Sequence, residues 1–88
     1  MKVSVYHRLR HLLTRHFLLP ARAVRPHRSL WSLGLSTPEC NEFYCAIERQ
    51  FGLDLDDREL QPARTLRELA AYVGRMRQPL ALAPVPLA

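Results

Sequence analysis

The chain has 88 residues and a mass of 10.2 kDa, which suffices for one small domain with a single core. Its 13 basic and eight acidic side chains and its 48% hydrophobic residues exclude a chain kept unfolded by charge repulsion and lack of burial. No stretch holds the roughly 20 uncharged apolar residues of a membrane-spanning helix. His and Arg interrupt any secretory signal in residues 3–17. We therefore expect one folded cytoplasmic domain.

Charge is unevenly distributed along the chain. Residues 39–88 hold six arginines and eight acidic side chains. Residues 1–38 hold no acid, and their cationic side chains are Lys2, Arg8, Arg10, Arg15, Arg22, Arg25 and Arg28. An acid-free stretch of this kind indicates a surface for a partner of negative charge.

Apolar side chains recur at helical spacing in the first part of the chain. They are Val5, Leu9, Leu12, Leu13 and Phe17. This period predicts an amphipathic first helix of about four turns. Pro20 and Pro26 interrupt the period, because the residue before a proline is pushed out of the helical region. We expect a long loop over residues 20–35, and the side chains that would tie it to the core are Val24, Leu30, Trp31 and Leu33.

The segment 36–39 predicts the start of a second helix. It combines a hydroxyl cap, a proline tolerated in the first turn, and an acid near the positive end of the helix dipole. Gly52 predicts the end, because glycine readily adopts the left-handed conformation that follows many helices. The core-facing stripe of this helix is Cys40, Phe43, Tyr44, Ile47 and Phe51. Cys45 lies about 140° from Cys40 around such a helix, which excludes a disulfide between them.

Two further helix starts follow Gly52. Asp56 is expected to cap a single turn through Leu60, and Thr65 with Glu68 forms the hydroxyl and acid pair that opens a last long helix. The core-facing stripe of that helix is Leu66, Leu69, Ala70, Val73 and Met76. Uncharged residues, mostly Pro, Leu and Ala, make up residues 78–88. We predict a helical domain over residues 1–77 and a flexible Pro/Leu/Ala-rich tail over residues 78–88.

Two short segments frame the second helix. Leu33-Gly34-Leu35 precedes it, and Phe51-Gly52 ends it before an acidic stretch. With the order of the helices, these segments resemble the acyl carrier protein family over roughly residues 3–76. The resemblance implies an all-α fold, namely a four-helix bundle with one short helix and a long loop after the first helix. It also implies a protein that is not an enzyme.

The resemblance further implies a site for a cofactor at the start of the second helix. In the family an Asp-Ser-Leu motif stands there, and its serine carries a 4'-phosphopantetheine arm that holds acyl groups as thioesters. Ser36, Thr37 and Pro38 occupy the three positions here. The hydroxyl of Thr37 is secondary, and its β-branched side chain has restricted rotamers. Ser36, one position early, and Thr37 are the candidate attachment residues, and helix capping is the competing role.

A docking helix is the second feature that the resemblance implies. Family members present carboxylates and a few apolar residues of the second helix to basic patches of their enzymes. The matching positions here are Pro38, Glu39, Asn41, Glu42, Cys45 and Arg49. Arg49 reverses the acidic character and Asn41 removes an apolar contact. Since rim charges control encounter and exclude wrong partners, we expect a specialised acyl-handling enzyme as the partner.

Other reactive side chains do not form a recognisable constellation. His7 and His11 have a spacing that can hold a metal, but no Cys or acid joins them in residues 1–38. Cys45 has no histidine on its own helix face that could activate it as a nucleophile. We therefore predict no metal site and no catalytic residue.

The basic residues 1–38 leave other interpretations open. They could follow a nucleic acid backbone, or lie on an anionic membrane with the apolar face of the first helix inserted. A transit peptide is a third interpretation, but cleavage near residue 38 would remove the first helix and the loop from the core. The arginines are spread over helix and loop without a recognition helix, so we prefer a protein-docking surface.

Two functions remain after these considerations, and residue chemistry favours the first. The first is a divergent, monomeric carrier fold without the phosphopantetheine arm that acts as a protein-interaction module for an acyl-handling enzyme. The second is a functional acyl or peptidyl carrier modified at Ser36, or at Thr37, in a specialised lipid or secondary-metabolite pathway. A basic protein that binds nucleic acid or a membrane surface is the further alternative.

Overall fold

A computed structural model describes residues 4–82 of the chain, with side chains described up to residue 77. It contains α1 (Val5–Arg15), α2 (Thr37–Phe51) and α3 (Leu66–Leu82), and two single 3₁₀ turns at Ala21–Ala23 and Asp57–Glu59. The all-α prediction is confirmed for these residues. The predicted short helix is one 3₁₀ turn, and Asp56 caps it by accepting from the Arg58 N–H, as expected.

The first helix is shorter than the four turns predicted. Ser4 caps α1 by accepting from the His7 N–H, and the helix ends at Arg15. Leu18 then adopts a positive φ of 57°. Phe17 therefore lies beyond the helix, where its ring packs edge-on against Phe43 at 5.9 Å between centroids.

Local signals place the boundaries of α2 where the sequence predicts them. Ser36 is the N-cap, and Gly52 is the C-cap in the left-handed conformation with a φ of 65°. Four members of the predicted stripe are buried, while Phe51 is half-buried. Cys40 and Cys45 are both free thiols, the first buried and the second exposed.

The third helix starts as predicted and runs further than predicted. Thr65 and Glu68 exchange hydrogen bonds: the Thr65 N–H donates to Glu68 Oε1 at 2.8 Å and the Glu68 N–H donates to Thr65 Oγ1 at 3.1 Å. The helix continues through Leu82, so five residues of the predicted tail are helical, and the rest of that tail lies outside the described residues. The division at residue 77 stays a prediction.

The long loop is fastened to the start of α3 by backbone hydrogen bonds. Leu66 N–H donates to the Arg28 carbonyl at 2.8 Å, and Arg67 N–H donates to the Pro26 carbonyl at 2.9 Å. These bonds satisfy two N–H groups that a helix start leaves without partners. Val24 and Leu30 are buried as predicted, but the prediction that Trp31 ties the loop to the core is wrong, because its side chain is 49% exposed.

The three helices share one core. Its fully buried large side chains are Phe43, Leu9, Leu13, Leu30, Ile47, Leu66, Val24, Val73 and Cys40. Arg8 at the start of α1 and Arg77 late in α3 both lie over the ring of Phe51, the last residue of α2. Since Phe17 and Phe43 meet at the other end, α1 runs antiparallel to α2 and α3. No helix in the described part is long and apolar enough to cross a membrane.

Candidate functional site

The start of α2 is a reciprocal capping box. Ser36 has an extended backbone, and its Oγ accepts from the Glu39 N–H at 3.3 Å. Glu39 Oε1 in turn accepts from the Ser36 N–H at 2.8 Å. The pKa of Glu39 is lowered, first by this bond from the Ser36 backbone and then by the Ser36 side chain. The spacing Ser-x-x-Glu is the sequence signal for this exchange, and our sequence interpretation used Glu39 only as a dipole partner.

Thr37 and Pro38 occupy the first two positions of α2, and both are exposed. Pro38 has no N–H, which is tolerated where a helix start leaves N–H groups unpaired. The Thr37 hydroxyl has no hydrogen-bond partner among the described residues, in contrast to the Ser36 hydroxyl oxygen beside it. The structure therefore gives the two candidate hydroxyls different surroundings.

Neither hydroxyl offers all that phosphopantetheine attachment requires. Attachment needs a reachable hydroxyl that can attack a phosphate, and a primary alcohol is less hindered than a secondary one. Thr37 is reachable, but it is secondary and its β-methyl restricts χ1 in a helix. Ser36 is primary, but a phosphodiester on it would stand beside the Glu39 carboxylate and replace the cap. Each hydroxyl thus meets one requirement of attachment and lacks another.

The predicted docking positions form a solvent-exposed surface on α2. All six are exposed: Pro38, Glu39, Asn41, Glu42, Cys45 and Arg49. Glu42 Oε2 also lies 4.0 Å from His16 Nε2, so the surface borders the end of α1. Glu48 is not part of it, because its carboxylate accepts from the Leu55 N–H at 2.8 Å and holds the loop after α2.

The two cysteines differ in environment. Burial, and secondly the nearby Glu39, raises the pKa of the Cys40 thiol, so this side chain acts as a core residue. Cys45 is exposed, at one of the predicted docking positions on α2.

Metal chemistry finds no support among the residues that the structure describes. They contain no group of three potential metal-ligating side chains. His7 Nδ1 lies 2.6 Å from the Ser4 hydroxyl, which places this ring at the helix start.

A hollow between α2 and α3 is lined by residues that also stabilise the fold. Its empty volume is about 270 Å³, part of which is open to solvent, and its base includes Tyr44 and Tyr72. Burial raises the pKa of Tyr44 to about 12, and Tyr72 Oη accepts from the Asp56 N–H at 2.9 Å. Arg64 at the rim pairs with Glu59 at 3.5 Å. The enclosed part of this space is far smaller than the clefts that hold small molecules.

Comparison with known protein families agrees with the all-α fold. The family model described as "Phosphopantetheine attachment site" matches residues 8–73. This range runs from α1 into α3 and includes Ser36 and Thr37. No curated protein matches the chain.

Proposed function

Because the chain belongs to the phosphopantetheine attachment family, we propose that it is a carrier-fold protein that works without the arm. It is a non-enzymatic, cytoplasmic interaction module for an acyl-handling enzyme. The observation that carries the proposal is the pair of hydroxyls at the start of α2. The free one, on Thr37, is secondary, and the primary one, on Ser36, is the cap of the helix.

Docking through α2 explains why the fold is intact while the attachment chemistry is not. The exposed positions on α2 are held in place by the buried side chains on its opposite face, such as Phe43 and Ile47. This scaffold needs no serine at position 37. Arg49 and Asn41 change the charge and shape of the docking face, and such changes select among partners. The partner is therefore an enzyme whose surface is matched to a mixed, rather than uniformly acidic, helix face.

A mass measurement tests whether the arm is absent. The purified chain is incubated with coenzyme A and a broad-specificity phosphopantetheinyl transferase, together with Thr37→Ser and Ser36→Ala variants. We expect no gain in mass for the natural chain and the gain of one arm for Thr37→Ser. That variant restores a primary hydroxyl and changes nothing else, so it shows that the transferase can reach the site. A gain in the natural chain would contradict the proposal.

The exposed Cys45 supplies a direct test of docking. A thiol-reactive photocrosslinker on Cys45 reports what approaches α2, because the other thiol, Cys40, is buried. The matched control is Cys45→Ser/Arg58→Cys, which moves the same probe from α2 to the 3₁₀ turn Asp57–Glu59, where the Arg58 side chain is 89% exposed. We expect an acyl-handling enzyme to crosslink at position 45 and not at position 58, and the purified pair to form the same product.

The alternative function is a carrier modified at Ser36. The observation that favours it is the exposure of this primary hydroxyl at a helix N-terminus, where backbone N–H groups favour a phosphate. In this case the natural chain gains one arm, and Ser36→Ala abolishes the gain. If the gain survives Ser36→Ala and is lost in Thr37→Ala, the carrier is modified at Thr37.

A membrane-inserted α1 has less support from the structure. Leu9 and Leu13 are fully buried in the core, so the apolar face of α1 is already occupied. Insertion would require α1 to leave the bundle, which would expose the rest of the core to water. Nucleic acid binding predicts a steep loss of affinity with salt, and a flat response would exclude it.

A further inference from the structure

Two large apolar side chains are exposed in the part of the chain that the structure describes. Leu18, just after α1, is 82% exposed, and Trp31, in the long loop, is 49% exposed. Single exposed apolar residues are ordinary on protein surfaces. Leu18 is different, because its backbone is also unusual.

The left-handed backbone at position 18 turns the chain at the end of α1, so that the Leu19 N–H reaches the Leu13 carbonyl at 3.2 Å. The fold does not explain why leucine stands at this position. Its φ of 57° brings the Cβ of an L-residue close to the backbone, and glycine or asparagine adopts this conformation more readily. A strained residue is normally held by its packing. The Leu18 side chain makes little contact at 82% exposure, so packing does not account for leucine at this position. Strain together with exposure indicates that this side chain serves a contact outside the chain.

Leu18 and Trp31 lie at the same end of the bundle, the end at which α2 begins. Leu18 follows His16 and Phe17, which contact Glu42 and Phe43 of α2. The Trp31 N–H donates to the Pro62 carbonyl at 3.2 Å, and its loop leads directly into α2. Helices pack 8–10 Å apart, so the end of three helices is about 20 Å across. Both side chains therefore fit within one interface of ordinary size, about 800 Å² per partner.

The surroundings of these two side chains are basic. Arg15 and Arg22 are exposed on either side of Leu18 in sequence, and Arg25 is exposed further along the loop. Among the described residues, no ion pair involves an arginine of α1 or of the long loop. Arg28, next to Trp31 in the loop, is bonded to the carbonyl and hydroxyl of Ser32 rather than to an acid. The charge of this region is left for a partner to neutralise.

We propose that this end of the bundle is a second docking surface, in which Leu18 and Trp31 enter an apolar groove of an acidic protein. Tryptophan and arginine are the residues that most often dominate the energy of protein interfaces. The arginines of α1 and the loop meet carboxylates at the rim of that groove. An aliphatic anchor adds nothing to binding a phosphate backbone, which is why a protein fits better than a nucleic acid. This proposal shares with the proposed function only the premise that the chain acts by docking to other proteins.

Leu18→Gly separates this role from a structural one. Removing the backbone strain of one left-handed leucine should raise Tm by about 5 °C in a domain of this size. The same change should weaken binding at least tenfold. Leu18→Asn, which also tolerates the left-handed conformation, should behave in the same way. A fall in Tm for both variants would show that Leu18 supports the fold and would overturn the proposal.

Binding is measured by the anisotropy of a labelled helical peptide of Glu and Leu, about 15 residues long, and by the emission of Trp31, the single tryptophan. We expect the peptide to bind and the Trp31 emission to shift to the blue. Poly-glutamate of equal charge should bind more weakly. Arg22→Gln should weaken binding, while Arg58→Gln removes the same charge from an Asp56 pair and should not. Equal effects of the two, no binding of the peptide, or tighter binding of single-stranded DNA would overturn the proposal. None of these readouts depends on the phosphopantetheine arm. The second docking surface can therefore be supported even if the mass measurement contradicts the proposed function.

Discussion

Replacing Ser36 by alanine tests the central structural claim, that this hydroxyl is a helix cap. The substitution removes the oxygen that accepts from the Glu39 N–H at 3.3 Å. It leaves the bond from the Ser36 N–H to Glu39 Oε1 at 2.8 Å, since that bond uses the backbone. One N–H of the first turn of α2 then loses its protein partner and has only water to bond with.

The expected loss of stability is about 1 kcal/mol, the usual cost of removing a serine cap. For a domain of this size, that corresponds to a fall in Tm of about 4–8 °C. With a urea m-value of about 1 kcal/mol/M, it also lowers the unfolding midpoint by about 1 M. Thr37→Ala is the matched control, because it removes a neighbouring exposed hydroxyl that makes no hydrogen bond among the described residues. Its effect should stay within about 0.5 kcal/mol.

Urea unfolding followed by far-UV circular dichroism measures both variants under the same conditions. Equal losses for Ser36→Ala and Thr37→Ala would refute the assignment of the cap to Ser36. A double-mutant cycle with Glu39→Ala adds a second check. The two side chains exchange bonds with each other's backbone, so their effects should not be additive; strict additivity would show that the capping box does not act as a unit.

Two further predictions concern reactivity and pH. Cys45 should react with iodoacetamide in the native protein while Cys40 stays protected until unfolding, because burial raises the pKa of Cys40. Peptide mapping after brief labelling checks this prediction. Early labelling of Cys40 would contradict the core position of that thiol. The lowered pKa of Glu39 means that its contribution to stability is present above its ordinary value of 4.5 and is lost as pH falls through the folded-state value. Glu39→Gln should therefore reduce the loss of stability on acidification below about pH 4.5, and an unchanged pH profile of urea midpoints would refute the role of this carboxylate.

The sequence predicts α2 well and the loop before it poorly, for a physical reason. Ser36, Pro38 and Gly52 act on their own backbone or on the next turn, so each signal can be recognised without the rest of the fold. The Trp31 N–H bonds to the Pro62 carbonyl, which only the folded chain brings near, and no local signal indicates that the Trp31 side chain is exposed. The early end of α1 depends on a left-handed Leu18, and leucine gives no sign of that conformation.

The candidate site shows a similar division between local chemistry and environment. The threonine at position 37, where the resemblance places the family's serine, can be noted from the sequence, because it concerns the identity of one residue. That Ser36 is occupied as a cap, and that Glu48 supports the loop rather than the docking face, emerges only from the hydrogen bonds. Sequence reasoning can thus identify candidate groups, while their availability is set by the neighbours that folding supplies.

Membership of a carrier family does not by itself establish carrier chemistry, and the proposal for position 37 gives the physical reason. The side chain of Thr37 is exposed and outside the core, so exchanging serine for threonine there changes the fold little. The methyl group that distinguishes threonine from serine lies on the carbon that bears the hydroxyl, where it hinders attack on a phosphate. Stability and attachment therefore respond to this position independently, and a fold can persist after its attachment chemistry is lost. If Thr37→Ser gains the arm while its stability matches that of the natural chain, this independence is demonstrated within one side chain.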